Sequence, residues 1–309
     1  SEPAPAPEQE AAVPAAPAGG PLDLSGVCPA TVVMQQDWYP EAEYGGMYSV
    51  VGPDRTIDAD AKRVRGSLVA QGVDTGVDVE IRPGGAVVGF QPVPALMRLD
   101  DSIVLGSVYT DVAIATADDQ PTVAVVSQLT TSPVMLMWDP ESHPGARTLR
   151  DVAASGVPVV TSEPVLFALL QEQGIIKPEQ VDSGYEGTPA RFVSDPRIMQ
   201  QGYVTTEPYL YEHEIAEWGR PVGYEKLADY GYTVYPSALS VRADRLEQLR
   251  PCLTKLVPIM QRAQLDYLAD PGPTNELMIE LVEKYQVGWT YSPGVADYAV
   301  RAIREQVEM

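Results

Sequence analysis

Basic side chains are scarce in this chain of 309 residues: 21 Lys and Arg stand against 43 Asp and Glu, a formal charge of −22. Such a surface repels polyanions, which argues against nucleic acid as a partner. Long apolar runs are lacking as well. Although 45% of the residues are apolar, no stretch approaches the roughly 18 to 20 consecutive apolar residues that span a bilayer. Histidine is limited to His143 and His213, and cysteine to Cys28 and Cys252, without CxxC spacing. His143 precedes Pro144 in a polar loop. The acidic neighbours of His213, Glu212 and Glu214, fall on other helix faces, because adjacent residues do not meet. Neither a metal centre nor another cofactor is expected. A nucleophile elbow, HExxH, P-loop and GxGxxG are all missing. The lysines, Lys62, Lys177, Lys226, Lys255 and Lys284, avoid predicted strand ends.

The remaining features indicate a large α/β body. This length suits two lobes better than one core. Ser1 to Pro21 is nearly all Pro, Ala, Glu and Gly, a composition that buries too little surface to offset the entropy of ordering. It reads as a tether, as in a lipoprotein whose anchoring Cys would precede Ser1. In an extracytoplasmic chain Cys28 and Cys252 form a disulfide candidate, the alternative being two small buried hydrophobes.

Thr31 to Gln36 reads as the first strand and runs into Asp37-Trp38-Tyr39-Pro40. The proline forces a turn, so Trp38, Tyr39 and Tyr44 cannot all pack inside one short element. Some should face a cleft, unless they plug the end of a sheet. A Gly45-Gly46 pair then opens a helix to about Val51. Ala59 to Gln71 reads as an amphipathic helix with Lys62, Arg63 and Arg65 on its wet side. Val77 to Ile81 alternates like a half-buried strand and turns at Pro83-Gly84-Gly85. Val93 to Leu99 is a helix, and Val108 to Thr116 a third strand with Asp111 at its start.

Thr122 to Gln128 and Val134 to Trp138 follow in quick succession, which marks a crossing between lobes. Helices are expected over Thr148 to Ala154, Glu163 to Gln173 and from Pro189. Strands are expected at Val157 to Thr161, Val181 to Gly184 and Met199 to Thr205. The return runs from Tyr232 to Tyr235 and on through Ala238 to Arg242. From Ala243 the pattern is helical, with Pro251 starting a helix, Pro258 kinking it, and further helices at Thr274 to Tyr285 and Ser292 to Val307. The buried stripe comprises Leu253, Leu256, Val257, Met260 and Leu265. The resulting organisation is a tether over 1–21, one lobe over 22–128 with 238–309, and another over 129–237. The lobes are doubly wound and joined by two linkers, with ligand groups at strand C-termini.

The candidate ligand set gathers carboxylates, aromatics and hydroxyls at those ends: Asp37, Trp38, Tyr39, Tyr44, Thr116, Glu186, Thr188, Tyr203, Glu207 and Tyr235. Tyr and Trp offer flat apolar faces with a polar rim, and carboxylates accept from amino groups or pair with cations. The set suits a flat, nitrogen-bearing ring. Ordinary packing is the alternative for any single tyrosine, since there are 16.

The segments VVMQQDWYPEAEYGGMY, VDVEIRPGG, DVAIAT, QPTVAVVSQLTTSPVMLM and QGYVTTEPY resemble substrate-binding proteins of ABC importers, in the thiamine-pyrimidine-precursor and riboflavin branch related to taurine and nitrate binders. The resemblance runs from about Thr31 to the C-terminus, and DWYP is its most specific motif. It implies a type II periplasmic-binding-protein fold, two lobes on a two-strand hinge that close on a small molecule. Cargo then passes to a membrane permease and its ATPase. Trp38 and Tyr39 would form one pocket wall, and Tyr203 and Glu207 match the aromatic and glutamate before the return strand. This chain departs at Tyr44, where pyrimidine binders usually carry His. It also lacks the cysteine-rich motif of the fungal pyrimidine synthases that share the fold. The expectation is therefore a monomeric, extracytoplasmic, lipid-anchored binding protein rather than an enzyme. An enzyme of the same fold acting on a pyrimidine precursor, or a sensor-type binding module, are the alternatives.

Overall fold

The computed structural model describes residues 12–162 and 164–306. Its strands, in chain order, are β1 (Thr31–Gln35), β2 (Thr56–Asp58), β3 (Arg63–Ala70), β4 (Val73–Arg82), β5 (Ile103–Val108), β6 (Thr122–Val126), β7 (Val134–Trp138), β8 (Val159–Val160), β9 (Val181–Asp182), β10 (Met199–Tyr203), β11 (Gly223–Lys226) and β12 (Ala238–Arg242). They form two sheets. The first has the order β2-β3-β4-β1-β5-β12-β6, and the second β11-β7-β10-β8-β9.

Central strands of the first sheet read as continuous apolar runs because helices cover both faces. β1 is buried from Val32 onward and β5 is buried throughout. β1 runs parallel to β4 and β5, while β12 lies antiparallel between β5 and β6. In the second sheet β10 pairs in parallel with β8 and antiparallel with β7. The chain crosses between sheets twice, over residues 127–133 and again between β11 and β12. The second sheet has its own apolar core of Leu136, Trp138, Leu149, Val159, Leu166, Phe167, Met199 and Tyr232.

Four expectations from the sequence change. Residues 59–71 are not a helix: Arg63–Ala70 is a strand whose burial alternates strictly, hydrogen-bonded to β4 as a hairpin. The turn between them is Gln71-Gly72, with φ of 51° and 79°, the pair of positive values that a two-residue hairpin turn of matching twist requires. The third strand lies earlier than expected, at β5, and Thr110–Ala115 is a short helix with Ile114 exposed. The Leu246–Ala269 helix is continuous through both Pro251 and Pro258. Each proline removes one N–H from the ladder, so the carbonyls four residues earlier, of Glu247 and Thr254, lose their helical donor while the helix runs on. Leu265, expected in its buried stripe, is 51% exposed.

That long helix fixes the segment after β1. A side chain at Gly45 would lie 2.0 Å from the Tyr267 ring, and one at Gly46 2.6 Å from Gln264 Oε1. The two glycines are thus required by close approach, and the Gly46 N–H donates to Gln264 Oε1 at 2.9 Å. Residues 42–48 form a 3-10 turn, Ala42–Tyr44, running into one turn of α-helix, Gly45–Tyr48, that is pressed on Leu246–Ala269.

Residues 12–28 do not hang free. The Ala16 N–H donates to the Asp74 carbonyl at 2.8 Å, and the Asp74 N–H to the Pro14 carbonyl at 2.9 Å. Lys255 Nζ donates to the carbonyls of Gly20 and Asp23 at 2.9 and 2.7 Å. Cys28 and Cys252 are joined by a disulfide. The expected tether therefore extends at most over residues before this docked stretch; Ser1–Ala11 lie outside the described residues, as do Glu163 and Val307 of the expected helices. No helix among the described residues is long and apolar enough to cross a membrane.

Candidate functional site

Strand β1 ends at Gln35, and the loop beyond it is clamped by the Pro83-Gly84-Gly85 turn. The Gly84 N–H donates to the Trp38 carbonyl at 2.8 Å and the Gly85 N–H to the Asp37 carbonyl at 3.0 Å. A Cβ at Gly84 would sit 2.4 Å from the Asp37 carbonyl, so only glycine permits this contact. The clamp aims Asp37 and Trp38 into a cleft of about 410 Å³ between the two sheets.

One wall of the cleft comes from the first sheet and its loops: Asp37, Trp38, Glu41, Glu43, Tyr44, residues Phe90 to Pro94, Ser107, Val108, Tyr109 and Val112. The other comes from the second sheet: Pro133, Ser162, Ser183, Tyr185, Gln201 and Tyr203. The two crossings supply Gln128, Leu129, Pro236 and Ser237. The walls touch. Tyr109 and Tyr203 bring their hydroxyls within 3.1 Å, and the Thr205 hydroxyl donates to Glu43 Oε1. A Cβ at Gly187 would lie 2.7 Å from the Trp38 ring. Gln128 Nε2 donates to the Ser237 carbonyl at 3.1 Å, tying the crossings together.

Carboxylates crowd the floor. Tyr44 donates to Asp37 Oδ1 at 2.9 Å and Ser237 to Oδ2 at 3.0 Å. Burial nonetheless pushes the Asp37 carboxyl up to about 6, against the pull of those hydrogen bonds. Burial likewise raises Glu43, and Glu41 more strongly, the latter with added repulsion from Glu43, Glu207 and Asp37. Glu207 accepts from the Tyr203 N–H at 2.7 Å and is pushed to about 7, again mainly by burial. Among the described residues, none that lines the cleft is Lys, Arg or His.

The residues singled out from the sequence therefore divide. Asp37, Trp38, Tyr44 and Tyr203 line the cleft. Tyr39 stands behind it: its ring stacks on Trp289 at 5.7 Å and its hydroxyl accepts from the Ala86 N–H at 3.0 Å. Glu207 and Thr188 line a smaller cavity of about 130 Å³, walled also by Tyr185 and Trp289. Thr116, Glu186 and Tyr235 line neither cavity; Glu186 is exposed, and Tyr235 lies on the surface with its N–H donating to Thr110 Oγ1 at 3.0 Å. Lys226 ends β11, a strand with no clear signal in the sequence, and does not line the cleft.

Sequence reasoning missed Glu41, Glu43, Tyr109, Gln128 and Ser237. Glu41 and Glu43 follow the DWYP element directly, and a carboxylate pair locked beside a Gly-Gly packing contact was the available signal. Tyr109 would have stood at a strand end had β5 been located. Nothing local marks Gln128 or Ser237, which matter because both crossings meet there.

Fold and cleft together define the two-lobe architecture of the type II periplasmic-binding-protein fold, with a cleft between the two sheets. No protein-family model and no curated protein matches the sequence. Among solved structures, the chain is similar to the periplasmic aliphatic sulphonate binding protein SsuA from Escherichia coli, with TM-score 0.54 and 15% identity over 88% of this chain and 79% of that one. It is also similar to the alkanesulfonate-binding protein SsuA from Xanthomonas axonopodis pv. citri bound to MOPS, with TM-score 0.53 and 10% identity over 88% and 84%. An ABC transporter structure from Parabacteroides distasonis gives TM-score 0.51 and 7% identity over 88% and 85%. Identities this low speak to the fold.

Proposed function

We propose that this chain is the extracytoplasmic solute-binding component of an ABC importer, holding a small nitrogen-bearing molecule between its lobes and delivering it to a permease and ATPase. The observation that carries the reading is the cleft itself. Its lining comes from both sheets and both crossings, at the carboxyl ends of β1, β5 and β10, where open α/β sheets take ligands. The solved structures of like fold include binding proteins for sulfonates, and the Cys28–Cys252 disulfide suits an oxidising compartment. Asp37, Trp38, Tyr44 and Tyr203 would contact the ligand, with Tyr39 and Glu207 supporting them from behind. A lipid anchor upstream of the docked segment and a monomeric state belong to the same proposal.

Closure on a ligand predicts compaction. Small-angle scattering and thermal shift across vitamins, pyrimidine precursors, amines and sulfonates should identify at least one compound that both shrinks the particle and raises Tm. Identical dimensions and melting throughout would sink the assignment.

An enzyme of the same fold draws its one argument from carboxyls near 6 and 7, the range of a general acid or base. Asp37 has both oxygens occupied by Tyr44 and Ser237, and Glu207 is engaged by the Tyr203 N–H. Binding without turnover is the expected outcome, and product formation with any bound compound would reverse the order of the two readings.

A further inference from the structure

The cleft is lopsided in charge, and its buried acceptors are only partly used. Asp37 is satisfied within the protein by Tyr44 and Ser237. Glu43 is different: Oε1 accepts from Thr205, while Oε2 is buried and has no partner among the described residues. Nor does any described group donate to the Glu41 carboxylate. Both glutamates are only 6% exposed and both line the cleft. An ionised buried oxygen without a donor is costly, and the described residues of the cleft lining offer no cation. Anionic ligands would meet this floor with nothing to pair against.

Above the floor the lining is apolar and aromatic, from Trp38, Phe90, Val108 and Tyr109. Aromatic faces attract cations through their quadrupole, and carboxylates pair with N–H donors through short charge-assisted hydrogen bonds. Resting on the solute-binding reading above, we propose that the ligand is an organic cation, a protonated amine or amidine on a ring or short apolar frame, whose N–H donors satisfy Glu41 and Glu43. Sulfonates and carboxylates are rejected by the same floor.

Proton release accompanies such binding. The groups facing Glu41 and Glu43 are Asp37 and Glu207 and the hydroxyls of Tyr44, Tyr48, Tyr267 and Tyr291. Among the described residues no cation acts on either glutamate, and the influence of Arg304 falls on Tyr267. Both carboxyls stand above their ordinary range through burial. A cation favours the ionised form, so its apparent affinity rises with pH as these carboxyls ionise.

Four probes that share one ring separate the possibilities: benzamidinium, benzylammonium, benzyl alcohol and benzenesulfonate, titrated calorimetrically into the full chain and into Glu41→Gln and Glu43→Gln. At least one cationic probe should bind and compact the protein. Each substitution should weaken it by about tenfold or more, as removal of one partner from a buried charge pair does. Both variants should melt no lower than the parent, because they remove repulsion, and the amide oxygen introduced by Glu43→Gln can keep the Thr205 contact. Tighter binding of benzenesulfonate or benzyl alcohol, or cation binding unchanged in both variants, would overturn the charge assignment and leave the cleft reading standing. Absence of binding and of compaction with all four would overturn both.

Discussion

Glu207 offers the sharpest quantitative test, because its burial sets a pH dependence opposite to that of the surface carboxylates. In the unfolded chain its carboxyl takes the ordinary value of 4.5, and in the folded chain burial raises it to about 7. Below 4.5 the group is neutral in both states and the associated stability is fully present. Between 4.5 and about 7 the unfolded chain ionises first, so stability declines as pH rises, and the decline levels off above about 7. At roughly 1.36 kcal/mol per pH unit, the separation corresponds to about 3 kcal/mol. Glu207→Gln, which retains an acceptor for the Tyr203 N–H, should match the parent at about pH 4.5 and exceed it by up to about 3 kcal/mol at about pH 8. For a chain of this size that is on the order of 5 °C in Tm. Scanning calorimetry on ligand-free protein at about pH 4.5, 6 and 8 reads it directly. Ion-paired surface acids such as Asp100, held to about 2 beside Ser102 and Arg82, finish titrating at lower pH. Parallel melting of parent and variant over the whole range, or a less stable variant at the alkaline end, would refute the reasoning.

Other expectations concern the loop, the closed state and the disulfide. Gly84→Ala forces a Cβ to 2.4 Å from the Asp37 carbonyl and should cost about 1 to 3 kcal/mol as an overpacked contact. Gly89→Ala, at φ 63° with nothing within 4 Å, should cost only about 1 kcal/mol of backbone strain; equal losses in urea denaturation would contradict the clamp. Gly187→Val would drive a side chain into the Trp38 ring, so scattering should show a more open particle than the parent, and an unchanged radius of gyration would exclude that contact as a determinant of closure. Replacing both Cys28 and Cys252 by Ser releases a link across 224 residues and should lower stability by about 2 to 5 kcal/mol, a difference that vanishes if the two proteins are compared under reducing conditions.

The sequence resolved those parts of the fold where periodicity and burial agree. Val93–Leu99 and Val134–Trp138 fall where the pattern puts them. Arg63–Ala70 failed because three cations within a few residues mimic the wet side of a helix, while its true period of two pairs Arg63 and Arg65 with Glu80 and Asp78 across the hairpin. Thr110–Ala115 failed because its β-branched run carries strand propensity, and the end of β5 decides the matter through tertiary packing. At the site, the proline turn left open whether Trp38, Tyr39 and Tyr44 face a cleft or plug the end of a sheet, and packing divides them: Trp38 and Tyr44 line the cleft while Tyr39 stacks on Trp289 behind it. Glu41 and Glu43 were not legible, because carboxylates are ordinarily exposed, and their burial follows from the packing of Gly45 and Gly46 on Tyr267 and Gln264.

The docked segment over residues 12–28 has a mechanical consequence. Tension applied at residue 12 passes first into the backbone pairing with Asp74, then into Lys255, and stops at the Cys28–Cys252 bond. All of these anchor points belong to the first sheet and its long helix. The crossings through Gln128 and Ser237, and the second sheet beyond them, lie off that load path. Pulling or jostling the N-terminal side therefore translates the molecule as a body, without working the crossings about which the proposed closure would turn.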